Sequence, residues 1–389
     1  LNSGESTKHA RLRLVPVVLA LSLLGFVLVP PIRGHTRLAW TFAAVAGVLV
    51  VWQVLLWIHA ARLGRTLGVE LVRPLKTHYI QASIQICIYT YWGWYWPKVY
   101  SAAPLILGQL VFYFALDALL SWSRGRSWRI GFGPVPIILS VNLFMWFKSD
   151  WFVFQFVLLA ACAFGKEFIR WNRDGKNTHV FNPSAFGLAL CSIVLISTGT
   201  TRLTWGVEVA TTLARPPHIY LQLFLLGLVV QYFFSVTLMT LSAGAVLCLL
   251  NLAYTGSTGV FQFVDTNIPI AVFLGLHLLV TDPSTSPRTN GGRVVFGSLY
   301  GAANFALFSL LGKYGVPDFY DKLLPVPILN LCVPWIDRFA HFGVVGRFER
   351  WQAQFQPKKL NLFYMGCWVA LFATMLATGF VEAPHKGAS

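Results

Sequence analysis

The segment THVFNPSAFGLALCSIVLISTGT, residues 178–200, decides the fold class. Asn182 and Pro183 fit the N-cap and first-turn positions of a helix, and the residues that follow are almost all apolar. An apolar helix of this length without Asp, Glu, Lys or Arg is typical of a segment that crosses a membrane. The Asn-Pro pair either serves only to start the helix, or exposes free N–H groups near mid-membrane to an anionic or polar ligand.

The composition of the whole chain supports the same class. Of 389 residues, 56% are hydrophobic and only 11% are charged, whereas a soluble domain carries about a quarter charged residues. The net charge of +16 resides in short clusters between apolar runs. This pattern indicates loops facing an anionic lipid leaflet rather than binding to nucleic acid.

Thirteen apolar candidate spans follow one another along the chain, and several are short or contain Pro and Gly. They lie at about 14–31, 38–60, 78–96, 101–122, 132–148, 151–169, 181–199, 218–235, 236–253, 267–281, 294–312, 325–342 and 362–380. The sequence therefore predicts an all-α, polytopic membrane protein with about thirteen transmembrane helices. The short spans are expected to be tilted, broken or re-entrant, which is tolerated where backbone packs on protein.

The basic residues predict the orientation of these spans. With the N-terminus in the cytoplasm, 21 Lys and Arg fall on the cytoplasmic side and nine on the other, as the positive-inside rule requires. The run at 14–31 lacks a small-residue cleavage site and is expected to be a retained span. Residues 61–76 predict either a short amphipathic helix on the cytoplasmic surface or a solvated loop.

Two polar features interrupt the apolar pattern. In LLVTDPSTSPRTNGGRVVFG, residues 278–297, Asp282 is expected either to cap the following helix or to hold the polar edge of a cofactor. Asp117, within a predicted span, is either functional or paired at the helix end with Arg124 or Arg126. The nine His are scattered, no CxxC pair occurs among the six Cys, and no metal site is predicted.

Four segments together resemble one family. They are FALDALLSWSRGR (114–126), AFGKEFIRWNRDGKNTHVFNPSAFG (163–187), LLVTDPSTSPRTNGGRVVFGSLYG (278–301) and NLCVPWIDRF (330–339). In this order they resemble the NqrB/RnfD family, membrane subunits of the sodium-pumping NADH:quinone reductase and of the Rnf ferredoxin:NAD complex. The resemblance implies a ten-helix core of two inverted five-helix repeats at 78–345. Residues 1–77, with two spans and the amphipathic segment, and 346–389, with one span and a tail, are then additions.

The resemblance also implies a flavin. Many family members carry FMN joined through its phosphate to the Thr of a Ser-x-Ala-Thr motif on the outer side. Here Ala210 and Thr211 match the last two positions, but Glu208 replaces the Ser. A carboxylate there repels an incoming phosphate, so covalent FMN at Thr211, non-covalent flavin and no flavin all stay open. Asn182 and Asp282 are expected to shape the flavin site.

The function implied by the resemblance is that of a membrane subunit in an electron-transport assembly of the bacterial inner membrane. Its partners would be other membrane subunits, a redox protein and the lipid bilayer. The basic clusters at 124–129 and 166–176 would suit an acidic partner, or serve only as topology signals. The alternatives are a transporter or channel for a neutral solute, and a scaffold subunit of a specialised complex, as in relatives beside natural-product pathways.

Overall fold

The computed structural model describes residues 13–173, 175–263, 266–317 and 319–381. Helices dominate this part of the chain, and the strands form two small two-stranded sheets. The helices are α1 (Val15–Phe26), α2 (Pro30–Arg33), α3 (Thr36–Arg62), α4 (Lys76–Tyr95), α5 (Lys98–Ser101), α6 (Ala103–Ser123), α7 (Pro134–Asn142), α8 (Val153–Phe168), α9 (Pro183–Ser197), α10 (Gly206–Leu213), α11 (Ile219–Phe234), α12 (Thr237–Thr258), α13 (Ile270–Leu278), α14 (Asn290–Lys313), α15 (Pro325–Phe339), α16 (Gly343–Gln352) and α17 (Pro357–Ala377). The strands are β1 (Val69–Leu71), β2 (Trp128–Ile130), β3 (Arg170–Arg173) and β4 (Lys176–His179).

The prediction of an all-α, polytopic membrane protein is confirmed. Five helices are long and apolar enough to cross a membrane, and shorter apolar helices accompany them. The five are Thr36–Arg62, Lys98–Ser123, Thr237–Thr258, Asn290–Lys313 and Pro357–Ala377. Each of the thirteen predicted spans coincides with one α-helix, although α7 and α13 have only nine residues each.

The same pattern of neighbours occurs twice along the chain. In the first set of five helices, α4 and α6 pack on α7, α6 packs on α8, and α8 packs on α9. In the second set, α11 and α12 pack on α13, α12 packs on α14, and α14 packs on α15. The two sets meet through their first helices, α4 and α11, and through their last, α9 and α15. The repeated packing supports the ten-helix core.

The third helix of each set, α7 or α13, is a buried half-helix. Nine residues rise only about 13 Å, less than half of a hydrocarbon core about 30 Å thick. Side chains from neighbouring helices satisfy the backbone around these short helices. Gln85 donates to Pro136 O at 3.1 Å and Thr240 donates to Leu276 O at 3.2 Å. Broken helices at membrane depth need such burial in protein, so the predicted broken spans are confirmed here.

The bundle has two ends, which α9 separates. We call the first the basic end, formed by residues 64–75, 124–133, 169–173, 175–182, 279–293 and 340–356. There β1 pairs with β2, and Arg173 binds Asp337 at 2.6 Å. The second, the Thr211 end, contains residues 96–102, 148–152, 198–218, 266–269, 314–317 and 319–324. There Trp205 N donates to Trp146 O at 2.7 Å. Because α7 begins at the basic end and α13 at the Thr211 end, the two half-helices enter the bundle from opposite sides.

The helices outside the repeats cover one repeat each. The helices α1 and α3 pack on α6, and α17 packs on α11 and α12. A Cβ added at Gly108 would lie 2.5 Å from the Phe42 ring, and one at Gly244 would lie 2.5 Å from Trp368. Glycine is therefore required at both contacts. The division at residues 77 and 345 remains a prediction.

The structure corrects the amphipathic helix expected at residues 61–76. Helix α3 ends at Arg62, and the chain then turns at Gly64, whose φ is +60°. Residues Val69–Leu71 form β1, which pairs in parallel with β2. The backbone of Gly68 accepts a hydrogen bond from Trp122 Nε1 at 2.9 Å. Pairing with a partner strand thus outweighs the helical spacing of the apolar residues. The connection is not helical, but it is paired with β2 rather than a purely solvated loop.

Candidate functional site

Thr211 lies near the C-terminal end of the short helix α10, at the Thr211 end. Its side chain is exposed, and its hydroxyl donates to Val207 O at 3.0 Å and Glu208 O at 3.3 Å within α10. Beside it is a cavity of about 130 Å³. The walls come from α10, the start of α11, the start of α13 and two neighbouring loops: Val207, Ala210, Thr211, Ala214, Tyr220, Phe263, Thr266, Pro269, Ile270, Ala271 and Lys322.

The electrostatics of this cavity favour an anion. The first turn of α13 borders it, and the N–H groups of a first turn lack partners within the helix and carry partial positive charge. Lys322 also borders it and is almost completely buried. Lys322 Nζ lies 3.3 Å from the carboxylate of buried Asp321, which offsets part of the positive charge. The cavity is thus bordered by a helix N-terminus and by the buried Lys322.

Glu208, which stands where the motif of the NqrB/RnfD family has Ser, does not line the cavity. It lies on the side of α10 toward Lys98, with which it interacts electrostatically. Lys98 Nζ stands 3.0 Å from the centroid of the Trp205 ring. The carboxylate therefore has its own cationic neighbour, and its repulsion of a phosphate at Thr211 is weaker than the sequence alone indicates.

A cluster of tryptophans stands behind α10. The rings of Trp92, Trp96 and Trp146 lie 5.3–5.6 Å apart between centroids. Trp92 Nε1 donates to Thr212 Oγ1 at 3.3 Å. Thr211 and Thr212 thus face different surroundings: Thr211 is directed to the cavity, while Thr212 anchors α10 on the aromatic cluster.

Asn182 is the N-cap of α9, and Pro183 is its first residue, as predicted. The Asn182 carboxamide oxygen accepts from Ser184 N at 3.1 Å and Ala185 N at 3.3 Å. Its amide donates to Leu279 O at 3.1 Å, and its backbone N donates to Asn330 Oδ1 at 3.1 Å. These bonds join α9 to the end of α13 and to α15, so the side chain has a structural task.

Asp282 stabilises a turn rather than a helix. Its carboxylate accepts from Ser284 N at 2.9 Å, Ser284 Oγ at 2.8 Å and Thr285 Oγ1 at 3.2 Å, and lies 3.7 Å from His179 Nε2. The expectation that Asp282 caps the following helix is wrong: Thr289 caps α14, accepting from Gly292 N at 3.0 Å. Burial raises the pKa of Asp282, but the hydrogen bond and charge of His179, with the Ser284 hydrogen bonds, outweigh it and lower the pKa.

The structure brings Asn182 and Asp282 together but separates both from Thr211. Leu279, the partner of Asn182, follows the end of α13, while the cavity beside Thr211 lies at its start. Nine helical residues place about 13 Å between these points. Thr211, Asn182 and Asp282 therefore do not form a single site.

Lys322 and Asp321 are the site residues that sequence reasoning missed. In the sequence, Lys322 counts only as a loop charge outside the membrane. One feature of the sequence could have identified them. Asp321 and Lys322 are adjacent, lie between apolar residues and come directly before a predicted span, in the segment FYDKLLPVP. Such charges are rarely buried unless they are paired, so the adjacency indicates a buried pair.

The charged helix end near Asp117 also differs from expectation. Arg124 and Arg126 bind Glu167, at 3.2 Å and 2.8 Å, rather than Asp117. Asp117 instead accepts a hydrogen bond from Trp128 Nε1 at 3.2 Å. The single carboxylate of Glu167 is thus shared by Arg124, Arg126 and Arg170, so only part of this positive charge is offset within the chain. In the described residues, no three His, Cys, Asp or Glu come together as a metal site.

Comparison with known proteins finds similarity over a short part of the chain. The D-type subunit of the ion-translocating oxidoreductase complex from Tolumonas auensis is 37% identical over 76 residues, and its counterpart from Erwinia tasmaniensis is 36% identical over 77 residues. The counterpart from Actinobacillus succinogenes is also 36% identical over 77 residues. Each match spans 20% of this chain and 20% of the relative. No family model and no solved structure matches.

Proposed function

We propose that this chain is a flavin-binding membrane component of an electron-transport complex, diverged from the D-type subunits that it resembles. The observation that carries the proposal is the cavity at the Thr211 end. There Thr211, the start of α13 and the buried Lys322 border one space. The similarity to the D-type subunits of ion-translocating oxidoreductase complexes supports the same class of complex.

The cavity suits the phosphate of a flavin mononucleotide rather than the whole cofactor. Pockets that enclose drug-sized ligands measure about 300–1,000 Å³, and this one measures about 130 Å³. The phosphate would meet Lys322 and the first turn of α13, with Thr211 in contact or covalently attached. The ring system would then lie outside the cavity, open to a redox partner. A bound flavin supplies electron transfer, and the protein supplies position and electrostatics.

The test measures flavin on the full-length protein purified from native membranes. Digestion with chymotrypsin after Trp205 and Tyr220 releases GVEVATTLARPPHIY, whose mass reports any covalent addition at Thr211. Visible absorbance of the undigested protein reports flavin held without a covalent bond. A near-stoichiometric flavin signal supports the proposal, and a colourless protein with an unmodified peptide contradicts it.

Thr211→Val tests the residue itself. The variant is expected to lose covalent flavin completely, or to lower the affinity for non-covalent FMN by about tenfold, equivalent to one lost hydrogen bond to a charged group. Thr198→Val is the matched control, because Thr198 also lies at the Thr211 end and donates to its own helix, at Val194 O. Equal flavin content in both variants would place the site elsewhere.

Transport of a solute is the second candidate function. Two half-helices that enter from opposite sides also form substrate sites in transporters with inverted repeats. Flavin content separates the candidates: uptake of solute into proteoliposomes by flavin-free protein would support transport and contradict electron transfer.

A further inference from the structure

The helix α16 is confined to the membrane surface by its neighbours in the chain. It connects α15, which ends at Phe339, to α17, which begins at Pro357 and is long and apolar enough to span a membrane. Only Gly346 and Gln352 of its ten residues are buried. A Cβ at Gly346 would lie 2.3 Å from His341 O, so α16 packs closely against the preceding turn. The side of α16 with Val344, Arg347, Arg350 and Trp351 is exposed.

One face of α16 combines aromatic and aliphatic groups in a stripe. Val344, Phe348 and Trp351 lie at positions i, i+4 and i+7, which share a helix face. Phe348 is half-buried against Leu238, Leu360 and Tyr364, so Val344 and Trp351 form the outer part of the stripe. Phe348 stacks on Trp351 at 6.3 Å, and Trp351 contacts Phe355 at 5.2 Å. Val344 is 71% exposed and Trp351 is 50% exposed. Large apolar groups exposed at a membrane surface are typical of a helix lying in the interface.

Basic residues flank this stripe. Arg338, Arg347, Arg350, Lys358 and Lys359 are all exposed, and none of the five makes an ion pair within residues 13–173, 175–263, 266–317 and 319–381. Arg347 and Arg350 lie next to the aromatic stripe on the helix. This side of the surface therefore carries uncompensated positive charge directly beside apolar groups.

The two acids of the same segment point into the protein. Glu349 Oε2 accepts from Gly291 N, in the first turn of α14, at 2.8 Å. Asp337 binds Arg173 at 2.6 Å and accepts from Arg288 N at 3.1 Å and Thr289 Oγ1 at 3.0 Å. The carboxylates are thus used to fix the start of α14. The charged side chains on the outer face of α16 are Arg347 and Arg350, which are both cationic.

We propose that α16 and the start of α17 bind the headgroups of anionic phospholipids, with the aromatic stripe inserted at the level of the acyl chains. Each Lys or Arg near an anionic surface adds attraction, and the apolar stripe adds burial. Because Glu349 lies on the inner side of the same helix, lipid binding also holds Glu349 against Gly291. The lipid surface thereby stabilises the first turn of α14 and the loop that contains Asp282.

Native mass spectrometry of the full chain in detergent tests the binding. The protein is titrated with phosphatidylglycerol and, separately, with phosphatidylcholine of the same acyl chains. We expect phosphatidylglycerol to bind at least tenfold more tightly. The fourfold variant Arg347→Gln/Arg350→Gln/Lys358→Gln/Lys359→Gln is expected to reduce this preference to less than twofold.

A matched control removes the same charge elsewhere at the basic end. The variant Arg62→Gln/Arg65→Gln/Arg73→Gln/Lys76→Gln also loses four exposed cations and is expected to keep the preference. Equal binding of the two lipids by the parent, or equal loss in both variants, would overturn the proposal. Equal loss in both variants would show that the preference depends on total charge rather than on α16. If the variant at Arg347, Arg350, Lys358 and Lys359 kept the preference, lipid binding by these residues would be refuted, and an acidic protein would be the better partner for them.

Hydrogen exchange tests the coupling without any substitution. The parent protein is placed in nanodiscs of phosphatidylglycerol or of phosphatidylcholine, and exchange is followed in peptides covering residues 285–300. We expect at least tenfold slower exchange around Gly291 in phosphatidylglycerol, with no difference in peptides from the Thr211 end. Equal rates around Gly291 would overturn the coupling between lipid and α14.

Discussion

Glu208 and Thr211 are three residues apart on α10, yet their side chains meet different surroundings. Thr211 borders the cavity with Lys322, whereas Glu208 interacts with Lys98 beside the Trp205 ring. Glu208, at the position where the NqrB/RnfD motif has Ser, therefore adds little charge to the cavity itself. If a flavin is attached at Thr211, we expect Glu208 to act mainly through recognition of the motif by the attaching enzyme.

Glu208→Ser separates these two effects. If the motif limits attachment, Glu208→Ser is expected to raise the covalent flavin content at least severalfold, because it restores the Ser that the family carries. Glu208→Gln removes the charge without restoring Ser and is expected to leave the content unchanged. Chymotryptic peptide masses measure both. An equal rise in the two variants would mean that charge, rather than the motif, limits attachment.

The lowered pKa of Asp282 predicts that the stability of the folded protein depends on pH. Its pKa is lowered in the folded protein, so the stability that it contributes is present above its unfolded pKa near 3.9. That stability is lost as the pH falls through the lower folded value. Asp282→Asn is expected to remove this part of the acid dependence. Thermal unfolding followed by tryptophan fluorescence between pH 3 and 6 measures it, and parallel curves for the two proteins would contradict the prediction.

At the scale of elements, helices α8 and α9, which follow the half-helix α7 in the chain, pack against each other in close contact. A Cβ at Gly187 in α9 would lie 2.3 Å from Cys162 Sγ and 3.0 Å from Leu158 O in α8. Leu158 O belongs to the backbone of α8, so it cannot move away from an added Cβ as the end of a flexible side chain could. Helices α8 and α9 therefore approach each other as closely as they do only because residue 187 is glycine.

Gly187→Ala is expected to lower the free energy of unfolding by about 1–3 kcal/mol through overpacking. Gly47→Ala in α3 is the matched control, because a Cβ there would have nothing within 4 Å. That control is expected to be neutral or to stabilise by up to about 1 kcal/mol, through helix propensity. The midpoint of thermal unfolding in detergent compares the two, and an equal shift would contradict the close contact.

At the scale of the molecule, the two ends of the bundle differ in charge and in task. The basic end contains the networks of Arg173 with Asp337 and of Glu349 with Gly291. The Thr211 end contains the cavity and the tryptophan cluster. The structure places residues 166–173 and 200–217 at opposite ends of α9, but which end faces the cytoplasm remains a prediction from the positive-inside rule.

Single cysteines test this orientation. Lys176→Cys at the basic end and Arg202→Cys at the Thr211 end are both exposed positions. In whole cells, an impermeant maleimide is expected to label Arg202→Cys and to spare Lys176→Cys until the membrane is opened. Labelling of the parent protein measures the background from its native cysteines. Among the described residues, Cys87 is the exposed one. Labelling of both positions from one side would invalidate the assignment of the two ends.

The amino-acid sequence by itself determined the elements that depend on local chemistry. Apolar length predicted thirteen of the seventeen α-helices in the described residues. The Asn182-Pro183 pair predicted the start of α9, because burial in lipid and helix capping act on neighbouring residues. Only the tertiary structure decided which distant residues meet. Pairing with β2 turned residues 69–71 into a strand, and Thr289 capped α14 in place of Asp282. Packing around α13 placed Lys322 beside Thr211 and kept Asn182 at the other end, since contacts between remote segments leave no periodic trace in the chain.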